Sequence, residues 1–528
     1  MTVLQRIAEL FETSAPQQPP CLHHNDYLCH GELATWPGPK TTVTTPLMDQ
    51  PLGSYPALDE PTAMAVLEAA KSAWCYGTGH WARTSMGERI ERMEQFLAAM
   101  RAQRETVSQL IMWEISKSFA DAQKEFDRTI RYIESTLETV KEMDRDAARL
   151  VQKEGYIAQI RRMPLGVGLC MGPYNYPLNE TFATLIPAII MGNAVVLKPP
   201  RLGVLLYRPL LEAFAQCFPP GVVNTVYGDG PVVASPLMRS GDVDVLAFIG
   251  TSHTADLLRS QHPRPHRLKA ALGLEAKDAA IVLPDADLEV TVTEIIKGAL
   301  SFNGQRCTAI KMVLVHRTIR DRFLERLCEA VDALAFGMPW EDHVLVTPLP
   351  EPARVQAMQS YLEDAENHGG RICNRYGGKT KHTFFYPAVV FPVTPAMRLY
   401  HEEQFGPIIP VVEYDAINEA LDVVIHSPYG QQASVFGQDP VIVGQVVDAL
   451  ANQVCRINLN AECQRGPDTF PFNGRKDSAE GTLSVYDALR TFSIRAMAAT
   501  PRTEANMALL RAILAERSSN FISTDYLF

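Results

Sequence analysis

The chain has 528 residues, of which 46% are hydrophobic and 21% are charged, and its formal net charge is −11 at pH 7. This length exceeds what one compact core usually holds and predicts two or three domains. The acidic balance argues against nucleic acid or an anionic membrane as the main partner.

The ends and the cysteines of the chain give no sign of export. The N-terminal stretch lacks the basic and then apolar layout of a secretory signal. No apolar run reaches about 18 residues, so no membrane-spanning helix is predicted. Ten cysteines are scattered without a disulfide framework, which suits a reducing compartment. We therefore expect a cytoplasmic protein.

Residues 1–60 are predicted to form an N-terminal arm, because residues 13–60 are rich in Pro, Thr, Gly and His. The arm contains "CLHHNDYLCH" (21–30), with ligand types that suit zinc. The spacing matches no standard finger and no second ligand pair follows, so we predict a loop and no metal site. The potential ligands are Cys21, His23, His24, Cys29 and His30.

Helical periodicity dominates residues 61–150, and strands alternate with helices from residue 165 onward. This alternation predicts an α/β protein with two lobes and a parallel sheet covered on both faces. The predicted strands are 165–171, 194–198, 222–228, 245–250, 311–316, 432–437 and 454–460, and the predicted helices include 179–192, 205–218 and 318–335.

Three predicted strands end in residues that could bind a ligand. Asn175 follows the first strand in "GPYNYPLNE" (172–180), where open α/β sheets bind ligands, although a turn would also favour Asn. Lys198 and Arg201 in "VLKPPR" could hold a phosphate or ribose, or form a solvated edge. Gly250 opens a helix in "AFIGTSHTADLL" (247–258) and could cradle an anion, but it is not part of a G-x-G-x-x-G motif.

Cys307 lies in "FNGQRCTA" (302–309), between an Arg and small polar residues. A lone cysteine is usually a small buried hydrophobe. The polar flanks favour the alternative of a reactive thiolate.

Together these segments resemble the aldehyde dehydrogenase superfamily, whose motif order they follow across about residues 60–490. The matching segments are "PYNYP", "LKPP", "FIGTS", "LGLEAKDAAIVLPDADLE", "FNGQRCTA", "EEQFGPIIPV" and "INLN". "CQRGPDTFPF" (463–472) and the Arg before Cys307 are similar to the non-phosphorylating glyceraldehyde-3-phosphate dehydrogenases of that superfamily.

The resemblance implies a two-lobed fold with a Rossmann-type cofactor domain, a catalytic α/β domain and a small bridging β element, in an oligomer that we expect to be a homodimer or homotetramer. The implied ranges are 61–151 and 172–296 for the cofactor domain, 297–480 for the catalytic domain, 152–171 and 481–500 for the bridging strands, and 501–528 for a C-terminal tail.

The resemblance also implies residue roles. Cys307 is the expected nucleophile, and the Asn175 amide with the Cys307 backbone N–H is the expected oxyanion hole. Asn175 lies 132 residues before Cys307, and Glu403 lies 96 residues after it, close to the family's separations. The implied cofactor contacts are Lys198 at the adenosine ribose, Glu403 and Phe405 at the nicotinamide ribose, and Gly250 and Thr251 at the pyrophosphate.

One segment departs from the family's pattern E-L-G-G-K, whose Glu activates water. Lys277 keeps the family's distance of 30 residues to Cys307, so Gly273 occupies the position of the base. We hypothesise that Glu275 replaces it, directly or through a water, because side chains two apart on a strand share a face. A second departure is Ala255, where the family has a later glycine.

Charge predicts the cofactor. Members that prefer NAD often carry an acidic residue three positions after the Lys, where this chain has Arg201. NADP is therefore the expected cofactor, with NAD as the alternative.

The arginines suit a substrate with a phosphate or another anionic group, and the resemblance implies a small phosphorylated or anionic aldehyde such as glyceraldehyde 3-phosphate. The expected substrate contacts are Arg131, Tyr176, Arg306 and Arg465, although Arg131 would also suit a solvated helix face. Two alternatives stay open: an enzyme that passes the acyl group to coenzyme A, and a silent family member that acts as a binding subunit.

Overall fold

The computed structural model describes residues 2–12, 15–16, 18–48 and 50–525. Residues 1, 13, 14, 17 and 49 of the predicted arm and residues 526–528 of the predicted tail lie outside the described residues. Two large, mostly parallel sheets organise the chain, as the alternation of strands and helices predicts.

The first large sheet has six strands and forms the base of the predicted cofactor lobe. Its first five strands are parallel and its last is antiparallel. In spatial order the strands are Val223–Thr225, Ala194–Lys198, Val167–Met171, Val245–Ile249, Lys269–Gly273 and Ala479–Glu480. The placement of 152–171 among the bridging strands is wrong for Val167–Met171, which is buried inside this sheet. Its uninterrupted apolar run reflects burial on both faces.

The second large sheet has seven strands. In spatial order they are Arg371–Ile372, Ala388–Phe391, Ile408–Tyr414, Ile310–His316, Asp278–Val282, Gln432–Phe436 and Arg456–Leu459. The predicted cofactor range 172–296 is wrong for Asp278–Val282, which pairs with Ile310–His316 in this second sheet. The chain therefore crosses from one sheet to the other at residues 274–277, which include Glu275.

Smaller sheets flank these two. Ser493–Pro501 pairs antiparallel with Tyr156–Pro164 along its whole length, and Val151–Lys153 extends that sheet. Ser493–Pro501 is an edge strand that exposes Ile494 and Met497, so the predicted oligomerisation role of this region stays a prediction. The remaining strands are Leu22–His23, Asp26–Cys29, Glu32–Thr35, Lys40–Thr44, Pro51–Pro56, Thr380–Lys381, Phe384–Phe385, Tyr429–Gly430 and Arg475–Lys476.

Helices cover the sheets. The predicted helical region 61–150 contains Glu60–Trp74, His80–Arg83, Met86–Arg101, Arg104–Ile115 and Phe119–Ala147. The other α-helices are Val3–Glu9, Asn179–Ile190, Leu211–Cys217, Gly230–Val233, Ser235–Ser240, Ser252–Ser260, Leu288–Leu300, Arg320–Asp332, Pro352–Asn367, Arg398–His401, Ile417–His426, Pro440–Leu450, Val485–Thr491 and Glu504–Glu516. The 3₁₀ helices are Leu10–Glu12, Cys75–Gly77, Leu205–Leu210, Ser301–Gly304 and Arg317–Ile319.

The N-terminal region is folded rather than a simple extended arm. The amide of Leu28 donates to Thr225 Oγ1 at 2.8 Å, which joins it to the six-stranded sheet. His24 is buried against the Tyr227 ring, and this burial lowers its pKa to about 4. Among the described residues, no group of three or more His, Cys, Asp or Glu could hold a metal ion, and no helix is long and apolar enough to cross a membrane.

Candidate active site

A cavity of about 620 Å³ lies where loops from both large sheets meet. Its walls bring together ten of the predicted site residues, from segments far apart in sequence. These are Asn175, Tyr176, Gly250, Thr251, Glu275, Arg306, Cys307, Glu403, Phe405 and Arg465. Arg131, Lys198 and Arg201 are not among the residues that line it.

A strained turn presents Cys307 to the cavity. In the 3₁₀ helix Ser301–Gly304, the φ angles of Phe302, Asn303 and Gly304 are 49°, 55° and 69°. Only glycine fits at position 304, because a Cβ there would lie 2.7 Å from the carbonyl oxygens of Ala299 and Gly406. The turn then feeds Cys307 into the loop before the strand Ile310–His316.

Asn175 is held against the Cys307 loop. Its side chain is buried, and its Nδ2 donates to the carbonyl oxygen of Gln305 at 2.8 Å. The Tyr174 hydroxyl donates to the Gln305 side chain at 3.0 Å. The predicted oxyanion amide therefore lies beside the loop that carries the predicted nucleophile.

A completely buried ion pair supports this arrangement. Lys117 Nζ pairs with the Glu125 carboxylate and donates to the Asn175 carbonyl oxygen at 2.7 Å. Glu125 Oε1 accepts from the amides of Leu178 and Asn179 at 3.0 and 3.1 Å. The pair thus fixes both ends of the turn that carries Asn175.

The surroundings of Cys307 favour the neutral thiol. Burial first, and then the carboxylates of Glu180, Glu403 and Asp278, raise the pKa of Cys307 to about 12. This environment favours the neutral thiol, so the reactive thiolate that the sequence suggested stays a prediction.

Glu403 lines the cavity beside Lys311. Its side chain is 9% exposed and lies 3.7 Å from Lys311 Nζ, but its Oε1 accepts no hydrogen bond. Lys311 is buried, donates to the Gly304 carbonyl at 2.8 Å, and lies 4.5 Å from the centre of the Phe405 ring. Burial raises the pKa of Glu403, and Lys311 opposes that rise.

The predicted substrate arginines are paired with carboxylates. Arg465 pairs with Glu180 and lies 3.4 Å from Asp468. Arg306 lies 3.6 Å from Glu462. Each cationic group at this end of the cavity thus has an acidic neighbour.

The placement of Arg131 differs from the prediction. Its side chain is exposed on the helix Phe119–Ala147, whereas Arg128 lines the cavity and binds Asp468 through two hydrogen bonds of 2.7 and 3.0 Å. The two arginines are three residues apart, so sequence spacing alone could not choose between them. The buried positions Phe126 and Ile130, which the periodicity identifies, bracket Arg128.

Glu180 was not predicted as a site residue, although it ends the quoted segment "GPYNYPLNE". It is the second residue of the helix Asn179–Ile190 and is buried at the cavity wall. A carboxylate five residues after Asn175 was the available signal. It is the carboxylate that contributes most to raising the Cys307 pKa.

Gly273, Leu274 and Glu275 all line the cavity, so the lining does not follow the alternation expected of a strand. A Cβ at Gly273 would lie no closer than 3.4 Å to Ile249 and 3.5 Å to Leu483, so the position has room for a side chain. Glu275 Oε2 accepts from the Ser252 amide at 2.7 Å. Its carboxylate is thus bound to the start of the helix Ser252–Ser260, and its role as a base stays a prediction.

Lys198 ends the strand Ala194–Lys198, and Arg201 lies in the loop that follows it. Lys198 is buried, and burial lowers its pKa to about 8. Arg201 is 64% exposed and donates to Glu351 at 2.7 Å. Arg201 itself stands where NAD-preferring members often have an acidic residue, but the carboxylate of Glu351 lies beside it.

Comparison with known proteins places these features in a family. The model of the Aldehyde dehydrogenase family matches residues 36–496. The chain is 32% identical to the NADP-dependent glyceraldehyde-3-phosphate dehydrogenase of Streptococcus equinus over 467 residues, which cover 87% of this chain and 94% of that protein. It is 29% identical to the protein of the same name from Pisum sativum over 86% of this chain and 90% of that one.

A solved structure of a similar protein has the same fold. The NADP-dependent glyceraldehyde-3-phosphate dehydrogenase from Bacillus halodurans C-125, complexed with NADP, superposes with a TM-score of 0.84 and is 31% identical, covering 91% of this chain and 100% of that chain.

The strained turn before Cys307 should not tolerate a side chain at position 304. Gly304→Ala forces both a positive φ and a contact with two carbonyl oxygens, so it should lower the free energy of unfolding by about 1–3 kcal/mol and slow alkylation of Cys307. The matched control is Gly444→Ala, where a Cβ meets nothing within 4 Å; in its helix this change should stabilise by about 0.5–1 kcal/mol. Urea unfolding and Cys307 alkylation equal to wild type in Gly304→Ala would contradict the assignment.

Neutralising Glu180 should make the Cys307 thiol more reactive. Glu180→Gln removes a negative charge near Cys307, so the Cys307 pKa should fall from about 12 and the thiolate fraction should rise several-fold at every pH from about 8 to 10. Iodoacetamide labelling of the Cys307 peptide, followed by mass spectrometry, measures this, with the exposed Cys75 as internal control. Identical Cys307 labelling rates in both proteins would refute the electrostatic contact.

Proposed function

The chain belongs to the aldehyde dehydrogenase family, and from this premise we propose that it oxidises a small phosphorylated aldehyde, with glyceraldehyde 3-phosphate as the first candidate, using NADP. The observation that carries the proposal is the meeting of Cys307, Asn175 and three arginines in one cavity. The names of the relatives from Streptococcus equinus and Pisum sativum support the choice of substrate and cofactor.

The chemistry assigned to Cys307 requires loss of its proton. The sulfur then bonds to the aldehyde carbon, and the carbonyl oxygen becomes an oxyanion that the Asn175 amide and the Cys307 N–H can stabilise. Bound NADP in its oxidised form supplies the acceptor for the hydride that leaves that carbon. Water then splits the resulting thioester at its carbonyl carbon, which releases the carboxylic acid and restores the thiol.

The residues of the cavity suit a dinucleotide. Glu403 lines the cavity, and its Oε1 atom, 3.7 Å from Lys311 Nζ, accepts no hydrogen bond, so this carboxylate is the proposed acceptor for a ribose hydroxyl. Thr251 caps the N-terminus of the helix Ser252–Ser260, an end that favours anions. Arg201 is exposed enough to meet a 2′-phosphate, although that contact would compete with Glu351.

An anionic substrate would have to compete with the protein's own carboxylates for the three arginines of the cavity. Arg128, Arg306 and Arg465 each lie within 4 Å of an acidic group. A substrate phosphate could replace these carboxylates, because guanidinium groups bind phosphate through paired hydrogen bonds. A neutral aldehyde could not, so the pairing supports selectivity for an anion of matching size.

A second candidate function differs only in the final acceptor. Position 273, where the family carries its base, is a glycine, and the nearest candidate Glu275 is bound to Ser252. Slow hydrolysis of the thioester would leave time for coenzyme A to take the acyl group. The Gly273 observation favours this alternative over a catalytically silent protein, since Cys307 and Asn175 are retained.

Formation of reduced NADP tests the proposal directly. Wild type with glyceraldehyde 3-phosphate and NADP should raise the absorbance of the reduced nicotinamide, and Cys307→Ala should not, because the thiol is the only proposed nucleophile. Cys328→Ala, in the helix Arg320–Asp332, is the matched control and should remain active. Activity retained in Cys307→Ala would refute the mechanism, and turnover that depends on added coenzyme A would favour the second candidate.

Placing a carboxylate at position 273 should speed hydrolysis of the thioester. Gly273→Glu places a carboxylate where the family has one, and the available space accepts its Cβ. If thioester hydrolysis limits the rate, steady-state turnover without coenzyme A should rise by about 10²-fold or more, the usual contribution of a positioned base. Gly273→Gln matches the size without the basicity and should give no rise. A rate in Gly273→Glu no higher than in Gly273→Gln would show that hydrolysis is not limited by a missing base.

A further inference from the structure

The contact between Glu275 and Ser252 brings a carboxylate from a distant segment to a backbone amide that the helix leaves free. Ser252 is the first residue of the helix Ser252–Ser260, and Thr251 already caps that helix by accepting from the Thr254 amide at 3.3 Å. Glu275 lies 23 residues later in the chain, in the crossing between the two large sheets, and accepts from the Ser252 amide at 2.7 Å. A carboxylate that lines the cavity thus comes from another element to occupy a backbone donor next to the cavity residues Gly250 and Thr251.

The Ser252 amide lies at the N-terminal end of a helix, which suits an anionic ligand. The N-terminal end of a helix attracts negative charge through its dipole and its free amides. The second observation is Glu403, whose buried Oε1 lines the same cavity and accepts no hydrogen bond. If Glu275 moved away, the start of the helix would offer a donor for a phosphate, and Glu403 is a carboxylate of the same cavity that could accept from a sugar hydroxyl.

Glu275 and Glu403 also affect each other. Burial raises the pKa of Glu403, and the negative charge of Glu275 adds to that rise. Two carboxylates therefore share the cavity before any ligand enters, and a diphosphate would bring further negative charge to the same space.

We propose that Glu275 is an internal anion that occupies the diphosphate position at the start of the helix Ser252–Ser260 and is displaced when NADP binds. The inference rests on the proposed function, because it assumes that the dinucleotide enters this cavity. A diphosphate and the Glu275 carboxylate cannot both accept from the Ser252 amide, and their charges repel. Glu275 therefore lowers the affinity for NADP, and its release delivers a free carboxylate to the cavity that also holds Cys307.

Direct titration with NADP, followed by protein fluorescence or calorimetry and without any aldehyde, tests this. Glu275→Gln keeps the size of the side chain and removes its charge, so it should bind NADP about tenfold more tightly, the scale of one charge-assisted hydrogen bond. The matched control is Glu402→Gln, which removes the same charge from the same cavity wall, where Glu402 pairs with Arg398. It should change the affinity less than twofold.

A second ligand separates the diphosphate from the rest of the cofactor. Adenosine 2′-phosphate carries no diphosphate and should bind wild type and Glu275→Gln equally, whereas inorganic pyrophosphate should compete with NADP better in Glu275→Gln.

The outcomes distinguish the inference from the function it rests on. If wild type binds NADP and Glu275→Gln binds it no more tightly, or if Glu402→Gln tightens it equally, the inference is overturned while the proposed function stands. If neither wild type nor Glu275→Gln binds NADP, the proposed function fails and the inference fails with it.

Discussion

The buried ion pair between Lys117 and Glu125 is the contact on which the site depends. Neither side chain has any exposed surface, and the pair joins the helix Phe119–Ala147 to the turn of Asn175 through three hydrogen bonds. Lys117 Nζ also lies 3.6 Å and 4.3 Å from the ring centres of Tyr176 and Phe302. Because Phe302 belongs to the strained turn before Cys307, one ammonium group contacts both the turn of Asn175 and the loop that carries Cys307. Removing either partner would leave an uncompensated buried charge, a loss of about 3–5 kcal/mol.

Around this fixed centre, the cavity is filled with charges that are already paired. Glu180, Asp468 and Glu462 lie beside the three arginines, and Glu275 lies at the start of the helix Ser252–Ser260. This pairing leaves none of these three arginines without an acidic neighbour. Under the proposed function, an incoming anion would compete with these carboxylates. The pKa of Cys307 is raised by burial and by the carboxylates of Glu180, Glu403 and Asp278, so only Glu180 belongs to both sets.

The features that could be predicted are those that depend on short stretches of the sequence. The α/β alternation, the strand bounds near Ala194–Lys198 and the loop positions of Asn175 and Cys307 follow from local periodicity and turn residues. The Lys117–Glu125 pair could not be predicted, because nothing in the separate segments marks the two side chains as partners of the Asn175 turn. The choice of Arg128 over Arg131 depends on the rotation of a 29-residue helix, which a spacing of three residues does not settle. The contact of Glu275 with Ser252 depends on how the chain crosses between the two sheets, and strand periodicity does not describe that crossing.

The account rests on an acyl group that is carried by Cys307 and outlasts the transfer of hydride. Rapid quenching of wild type mixed with glyceraldehyde 3-phosphate and NADP, followed by mass spectrometry of the peptide that contains Cys307, measures that species directly. The account predicts close to one acyl group for each site, bound to Cys307, formed together with one equivalent of reduced NADP. Several equivalents of reduced NADP with an unmodified Cys307 at every quench time, or an acyl group on another residue, would contradict it.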